Sequence, residues 1–154
     1  MKQRTVLNKR ELEDHFAIGA LIEDKDGRIL SFKHQKWGFW TFPVGKGEDG
    51  ETAEEATIRE MREECGIYIK KLEKIYEIPV TYSRDGNRVC ATCVLFRVKD
   101  FTGIVENLEP HIHEGFDYRT LKELSARDRL SDMLMLYLDK LKIPHKARIA
   151  GKIS

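Results

Sequence analysis

The most constraining feature of this 154-residue chain is a helix whose two ends are both marked in the sequence. Thr52 and Glu55 have the spacing of a capping box, in which each side chain bonds the other residue's backbone N–H. Gly66 stands where a left-handed residue ends many helices. We therefore predict a helix over residues 53–65, around which the rest of the fold must be built.

Apolar runs on both sides of this helix predict β-strands. Two of the connections, 24–27 and 84–87, contain the Asp-Gly pair that is typical of hairpin turns. The predicted strands cover residues 16–22, 29–32, 40–43, 75–82, 88–98 and 116–118, with a helical turn at 121–124 and a helix at 130–141. This order predicts the α/β class, with a mixed β-sheet packed between helices.

Length and composition limit the classes of protein that remain. A chain of 154 residues predicts one domain over residues 1–154, with a short basic tail at about 143–154. The apolar runs are shorter than the ~18–20 residues of a membrane span, and the charged start lacks a secretory leader. Three cysteines, an odd and sparse set, are typical of a reducing compartment. We therefore expect a cytoplasmic protein with no membrane partner.

Charge is balanced over the whole chain but concentrated in the predicted helix. Lys and Arg total 27 against 26 Asp and Glu, which removes the simplest argument for nucleic-acid binding. On a helical wheel, three glutamates cluster opposite an apolar stripe formed by Ile58, Met61 and Cys65, which is expected to be buried. The glutamates are Glu60, Glu63 and Glu64. Because like charges at this spacing repel, the face is either fully solvated or a site for a hard divalent cation such as Mg²⁺.

The residues around this cluster form a longer pattern. In this chain it reads Gly45-x5-Glu51-x7-Arg59-Glu60-Met61-x-Glu63-Glu64-x-Gly66-Ile67. At every specified position it resembles the signature of the Nudix hydrolases, the family of MutT-like enzymes. The resemblance implies a Nudix-type α/β/α sandwich. It also implies hydrolysis of a phosphoanhydride in a nucleoside diphosphate linked to another group, with Mg²⁺ or Mn²⁺ as cofactor.

The resemblance also implies roles for the residues of this pattern. Glu60, Glu63 and Glu64 are implied as metal ligands, and Glu60 or Glu64 is also expected to orient or deprotonate the water. Arg59 is implied to hold Glu51 in an ion pair. That pair would fix the loop that leads into the helix.

One position departs from the usual pattern of the family. Relatives often have two glycines before the lysine, whereas Val44 precedes Gly45 and Lys46 in this chain. The backbone carbonyl of Val44 can still bind a metal, although valine allows narrower backbone angles than glycine. Lys46, with Gly45, is predicted to contact a substrate phosphate.

A further carboxylate is expected from the loop at residues 106–115, because relatives often draw a ligand or base from this place. Glu114 is the leading candidate, ahead of Glu109. His111 and His113 are the candidates for proton transfer.

Aromatic residues are the candidates for contacting the rest of the substrate. Trp37 lies in a polar loop and is predicted to stack on a base, whereas Trp40 and Phe42 are predicted core residues. Tyr82 lies fifteen residues after Ile67. This is close to the place of a tyrosine in dinucleoside polyphosphate hydrolases of the family.

These residues predict a Mg²⁺-dependent nucleoside triphosphate pyrophosphohydrolase that releases a nucleoside monophosphate and pyrophosphate. The stretch at 109–124 resembles the corresponding part of such enzymes. The alternative substrates are a dinucleoside polyphosphate, or a nucleotide sugar or ADP-ribose. A non-catalytic nucleotide- or RNA-binding module is the alternative from another class. The expected partner is a nucleotide, with nucleic acid only as a capped or triphosphorylated RNA end, and the chain is expected to be a monomer or a homodimer.

Overall fold

The computed structural model describes residues 16–84 and 87–149, and the side chains of all of these except 82–84, 87–90 and 148–149. Nine strands and three helices lie in the described residues. In chain order they are β1 (Phe16–Leu21), β2 (Ile29–His34), β3 (Trp40–Thr41), β4 (Val44–Lys46), α1 (Ala53–Cys65), β5 (Tyr68–Arg84), β6 (Asn87–Thr102), β7 (His113–Arg119), α2 (Leu121–Ser125), β8 (Arg129–Leu130), α3 (Asp132–Lys140) and β9 (Arg148–Ile149).

Helix α1 has the predicted bounds and the predicted caps. The Thr52 side chain accepts a hydrogen bond from the backbone N–H of Glu55 at 3.0 Å, and the Thr52 N–H donates to the Glu55 side chain at 2.9 Å. Gly66 ends the helix with a φ of 73°, in the left-handed region. The local signals at both ends therefore set the length of α1.

The strands form two mixed sheets, which confirms the α/β class. The first sheet has the order β4-β1-β6-β5, in which β1 runs parallel to β6 and antiparallel to β4. The second has the order β7-β2-β3-β8-β9. The predicted turn joins β1 and β2. Among the described residues, a single bridge between Glu23 and Ile29 pairs the chain on the two sides of this turn, and β1 and β2 themselves belong to different sheets.

Helix α1 packs on the first sheet through its smallest side chains. Ala53 and Ala56 are buried in one cluster with Ile18, Val94 and Phe96 of β1 and β6. Small side chains let the helix backbone approach the sheet closely. The buried face of α1 therefore runs along the side that carries these two alanines.

This packing corrects the predicted orientation of α1. Met61 and Cys65 are buried as expected, but Ile58 is 40% exposed. Glu64, which was placed opposite the apolar stripe, is only 6% exposed. The helical wheel was wrong because it weighted the large apolar side chain of Ile58 above the alanines. One member of the acidic cluster consequently lies inside the protein.

The C-terminal helix α3 closes the largest core cluster. Ser131 caps it by accepting a hydrogen bond from the N–H of Leu134 at 3.2 Å, so α3 starts two residues later than the predicted residue 130. Leu130 belongs instead to β8. The Tyr76 hydroxyl of β5 donates to the carbonyl of Met133 at 2.7 Å and ties the first sheet to this helix.

The predicted basic tail contains a strand. In the described part of it, Arg148 and Ile149 form β9 and pair in parallel with β8. Residues 150–154 lie outside the described residues. No helix among the described residues is long and apolar enough to cross a membrane.

Candidate active site

An arginine at the centre of α1 gathers most of the nearby acidic side chains. The Arg59 Nε lies 2.7 Å from Glu51 Oε2, so the ion pair implied by the resemblance is present. Its Nη1 lies 3.2 Å from Glu63 Oε1 and 3.4 Å from Glu60 Oε1, and its Nη2 donates to the Lys46 carbonyl at 3.1 Å. Arg59 thus joins the loop after β4 to the helix.

The electrostatics of this group follow from that geometry. The hydrogen bonds between the two side chains hold the pKa of Arg59 above its ordinary value and the pKa of Glu51 below its own. Both groups are therefore charged at neutral pH. Charge-assisted bonds of this kind are roughly twice as strong as neutral ones.

Gly45 leaves room for the Glu60 side chain where strand β4 approaches helix α1. A Cβ atom at Gly45 would lie 2.6 Å from the Cδ and 2.9 Å from the Oε1 of Glu60. Distances of that size are clashes, so a larger residue would displace the Glu60 carboxylate. The glycine of the sequence pattern is thus explained by the place of a glutamate fifteen residues later.

Glu64 differs from the other glutamates of the cluster because it is buried. Burial, followed by the hydrogen bond and the negative charge of Glu60, raises the pKa of Glu64 from 4.5 to about 10. In the absence of a cation, this environment favours the protonated form of the Glu64 carboxyl group. A bound divalent cation would favour the ionised form instead.

A second cluster forms where the loop before β7 reaches Glu64. His113 Nε2 lies 3.7 Å from Glu64 Oε1 and 4.0 Å from Glu109 Oε1. One potential ligand atom from each of the three residues lies within 4.8 Å of the others. Burial, with the nearby charges of His34 and His111, lowers the pKa of His113 to about 4, so the imidazole is neutral at pH 7.

The structure does not bring Glu114 into this cluster. Its side chain is exposed and accepts a hydrogen bond from Gln35 Nε2 at 2.5 Å. His113 and Glu114 are neighbours in β7, and adjacent side chains of a strand point to opposite faces. The loop carboxylate that lies beside Glu64 is therefore Glu109, whereas Glu114 was the leading candidate.

The sequence favoured Glu114 over Glu109 because the start of β7 was predicted too late. Strand β7 was predicted over 116–118 but begins at His113, so the alternation of its first residues was not used. With the strand extended by three residues, the pattern would have put His113 and Glu114 on different faces. The signal that identifies His113 was thus present in the sequence.

A cavity of about 550 Å³ runs from the clusters toward α3. Its lining includes residues of the sequence pattern, of the loop before β7 and of the first position of β7, which are Val44, Gly45, Lys46, Glu64, Glu109 and His113. Aromatic and apolar residues also line it, and they include Trp37, Phe39, Val80 and Met133. The cavity thus combines carboxylates with aromatic and apolar side chains.

The aromatic candidates fall in different places. Trp37 lines the cavity and is 52% exposed, whereas Phe42 is fully buried in the core, as predicted. Trp40 is partly buried, with the guanidinium groups of Arg119 and Arg127 over its ring at 4.6 and 4.3 Å. The backbone of Tyr82 lies in β5, but its side chain lies outside the described residues.

Comparisons with known proteins agree with this geometry. Residues 13–137 match the family model of the NUDIX domain. An 8-oxo-dGTP diphosphatase of Proteus vulgaris is 38% identical over 65 residues, which cover 40% of this chain and 56% of that protein. YvcI, an uncharacterized Nudix hydrolase of Bacillus subtilis (strain 168), is 33% identical over 118 residues, which cover 71% of this chain and 73% of that protein.

Solved structures share the fold. The crystal structure of a MutT NUDIX hydrolase from Burkholderia pseudomallei has a TM-score of 0.69 and 26% identity, and the match covers 82% of this chain and 97% of that one. The chain therefore belongs to the Nudix hydrolase family, with the α/β fold of the MutT structures. Its match spans little more than half the length of the Proteus vulgaris enzyme.

Proposed function

We propose that this protein is a divalent-metal-dependent hydrolase of nucleoside triphosphates that releases a nucleoside monophosphate and pyrophosphate. The observation that carries the proposal is the cavity of about 550 Å³, whose lining combines carboxylates with an exposed tryptophan. A nucleotide has matching parts, a strongly anionic phosphate chain and a planar base. The similarity to an 8-oxo-dGTP diphosphatase over 65 residues supports this choice of substrate.

The residues of α1 fit a hard divalent cation. Carboxylate oxygens are the ligands that Mg²⁺ prefers, and a carbonyl completes such sites. Glu60, Glu63 and Glu64, with the carbonyl of Val44, are the proposed ligands. When bound, Mg²⁺ or Mn²⁺ would neutralise phosphate charge and lower the pKa of an attacking water.

The remaining residues of the first cluster position these ligands. Arg59 contacts both Glu60 and Glu63, so it restricts the directions in which their carboxylates point. Glu51 in turn holds Arg59 from the loop side at 2.7 Å. Preorganised ligands of this kind lose little entropy when a charged substrate arrives.

Two residues of the cavity are proposed to contact the nucleotide. Lys46 lines the same cavity as Glu64, and an exposed lysine at this place would bind phosphate as a point charge. Trp37 also lines the cavity, where its ring offers a face for a base. Stacking of a base on an aromatic side chain contributes roughly 1–3 kcal/mol.

The proposal is tested with a panel of substrates in the presence of Mg²⁺ or Mn²⁺. The panel contains the common nucleoside triphosphates, 8-oxo-dGTP, a dinucleoside polyphosphate, ADP-ribose and a triphosphorylated RNA, and orthophosphate and pyrophosphate are measured separately. Pyrophosphate release from a nucleoside triphosphate is the expected result. Turnover of only another class would replace the substrate, and tight nucleotide binding without any turnover would contradict the proposal.

A variant links that activity to α1. Glu63→Gln removes one charge but keeps the size of a side chain that is half exposed. We expect kcat to fall by orders of magnitude with the fold intact. Near-full activity of this variant with Mg²⁺ would show that Glu63 is not a metal ligand.

A further inference from the structure

His113 is a buried side chain whose Nδ1 has no hydrogen-bond partner among the described residues. The residue is 5% exposed. Its Nε2 lies 3.7 Å from Glu64 and 4.0 Å from Glu109, too far for a hydrogen bond to either. Burying an unsatisfied polar group costs about 1–3 kcal/mol, so apolar packing alone does not account for a histidine here.

The direction of the imidazole is set by its surroundings. The ring stacks on Phe32 with 3.9 Å between centroids, and Phe116 lies 6.4 Å away. Its backbone is held as well, because the His113 N–H donates to the Glu109 carbonyl at 3.0 Å and its own carbonyl accepts from Asn107 Nδ2 at 2.9 Å. Nε2 therefore stays directed toward the two carboxylates.

The spacing of the three donors matches a single metal ion. Metal–nitrogen and metal–oxygen bonds of about 2.0–2.2 Å put ligand atoms of one ion roughly 3–4 Å apart. The distances from Nε2 to the two carboxylate oxygens, 3.7 and 4.0 Å, fall in that range. One imidazole nitrogen with two carboxylates is a donor set for first-row transition metals, whereas Mg²⁺ takes oxygen ligands and keeps its waters.

We propose that Glu64, Glu109 and His113 form a metal position of their own, which takes a first-row transition-metal ion such as Mn²⁺ in preference to Mg²⁺. Glu64 would be shared with the α1 ligands, so the position lies beside the proposed Mg²⁺ site. The inference rests on the proposed function for its link to hydrolysis. The binding of the ion itself requires no nucleotide and is measured without one.

Pulsed EPR of Mn²⁺ tests the nitrogen ligand directly. The wild-type protein is loaded with one and then two equivalents of Mn²⁺, and ¹⁴N coupling is recorded by electron spin echo envelope modulation. We expect ¹⁴N coupling typical of a bound imidazole in the wild type and its loss in His113→Asn and His113→Gln. A wild-type spectrum without ¹⁴N coupling at both equivalents would overturn the proposal without any variant having to fold.

Affinity measurements by calorimetry give the second readout. We expect either His113 variant to bind Mn²⁺ at least about tenfold more weakly. Losing a residue that only hydrogen-bonds a metal ligand weakens metal binding about 10–100-fold, and losing the ligand itself should weaken it at least as much. The affinity for Mg²⁺ should change less than about threefold, because Mg²⁺ prefers oxygen ligands. Equal losses for both ions, or ¹⁴N coupling that persists in both folded variants, would overturn the assignment.

His145 offers a matched control. Its Nε2 also faces a carboxylate, Asp139 at 2.8 Å, but that carboxylate is single and 66% exposed. His145→Asn should therefore keep both the ¹⁴N coupling and the Mn²⁺ affinity. Loss of either would place the metal at His145 and contradict the proposal.

The two proposals, metal binding and hydrolysis, fail separately. If the wild-type protein shows ¹⁴N coupling but hydrolyses no nucleotide, the proposed function is refuted and the metal position is not.

Discussion

The two acidic clusters of the site differ in the source of their positive charge. Around Arg59, the carboxylates of Glu51, Glu60 and Glu63 share a guanidinium that the chain itself supplies. Around Glu64, two carboxylates lie beside a neutral imidazole. Among the described residues, the weakly basic His113 is the only potentially cationic side chain within ion-pairing distance of Glu64. The carboxylates of the first cluster are paired with a guanidinium, whereas the second cluster has no strongly basic side chain among the described residues.

That difference indicates what each cluster contributes. Pairing with Arg59 lowers the pKa of Glu51 and fixes the direction of its carboxylate. A buried carboxylate without a cationic partner has a raised pKa, and a bound metal ion would offset the cost of its ionisation. The Arg59 pairs therefore fix the directions of the carboxylates, and the Glu64 cluster leaves a charge for a bound ion to supply.

The largest expected effect is the loss of activity in Glu64→Gln. The variant keeps the size of the side chain but cannot offer an ionised carboxylate, so we expect kcat to fall by about 10³ or more, roughly 4 kcal/mol in the activation free energy. Steady-state kinetics with saturating Mg²⁺ measure it. Glu54→Gln, in the exposed first turn of the same helix, is the control and should stay within about twofold of wild type. Similar losses in both variants would remove the distinction between buried and exposed glutamates.

The next effect is on stability, in Arg59→Met. Removing the guanidinium leaves Glu51, Glu60 and Glu63 without their shared cation, and the free energy of unfolding should fall by about 2 kcal/mol. Urea denaturation measures the change. Arg28→Met is the control, because its pair with Asp24 at 2.9 Å is exposed and should contribute little. A loss no larger than that of the control would mean that Arg59 does not hold the cluster together.

A smaller effect is expected from Gly45→Ala. The added methyl group would push Glu60 from its place, since the new Cβ would lie 2.6 Å from the Glu60 Cδ. We expect Mg²⁺ to bind about tenfold more weakly, or 1.4 kcal/mol. Gly47→Ala is the control, because its new Cβ would come no closer than 3.2 Å to a neighbouring atom, Phe16 Cβ. Unchanged Mg²⁺ binding in Gly45→Ala would separate Glu60 from the metal.

The remaining prediction concerns the pH dependence of the stability of the metal-free protein. Because the folded-state pKa of Glu64 is raised from 4.5 to about 10, the folded protein holds a proton that the unfolded chain releases. Stability should therefore fall as the pH rises through that window, by at most about 1.4 kcal/mol per pH unit. Thermal melts between pH 6 and 9 in the presence of EDTA measure this slope. Glu64→Gln should flatten it, and an equal slope in both proteins would show that Glu64 is already ionised.

The sequence was sufficient wherever a feature is fixed by near neighbours. The bounds of α1 follow from Thr52, Glu55 and Gly66, and the ion pair between Arg59 and Glu51 follows from the resemblance. These contacts join residues at most eight positions apart. Local chemistry is enough to place them.

The features that failed depend on tertiary packing. The buried side of α1 is set by Ala53 and Ala56 against the sheet, which a wheel of large apolar residues does not show. Glu109, and not the predicted Glu114, lies beside Glu64 because of where β7 begins, and that start is set by pairing with β2. Strands β5 and β6 likewise extend beyond their predicted ends, because each supplies the other's hydrogen bonds. The proposed metal position likewise joins Glu64 of α1 to Glu109 of a distant loop and to His113 of β7.

The bond from Arg59 to the carbonyl of Lys46 has a consequence for how the protein responds to its ion. Loop and helix are tied together by groups of the chain itself, so the site keeps its outline when the metal is absent. Chelation would then stop the reaction without dismantling the protein, and returning the ion would restore it. The activity would then respond reversibly to the supply of metal, while the fold would not depend on it.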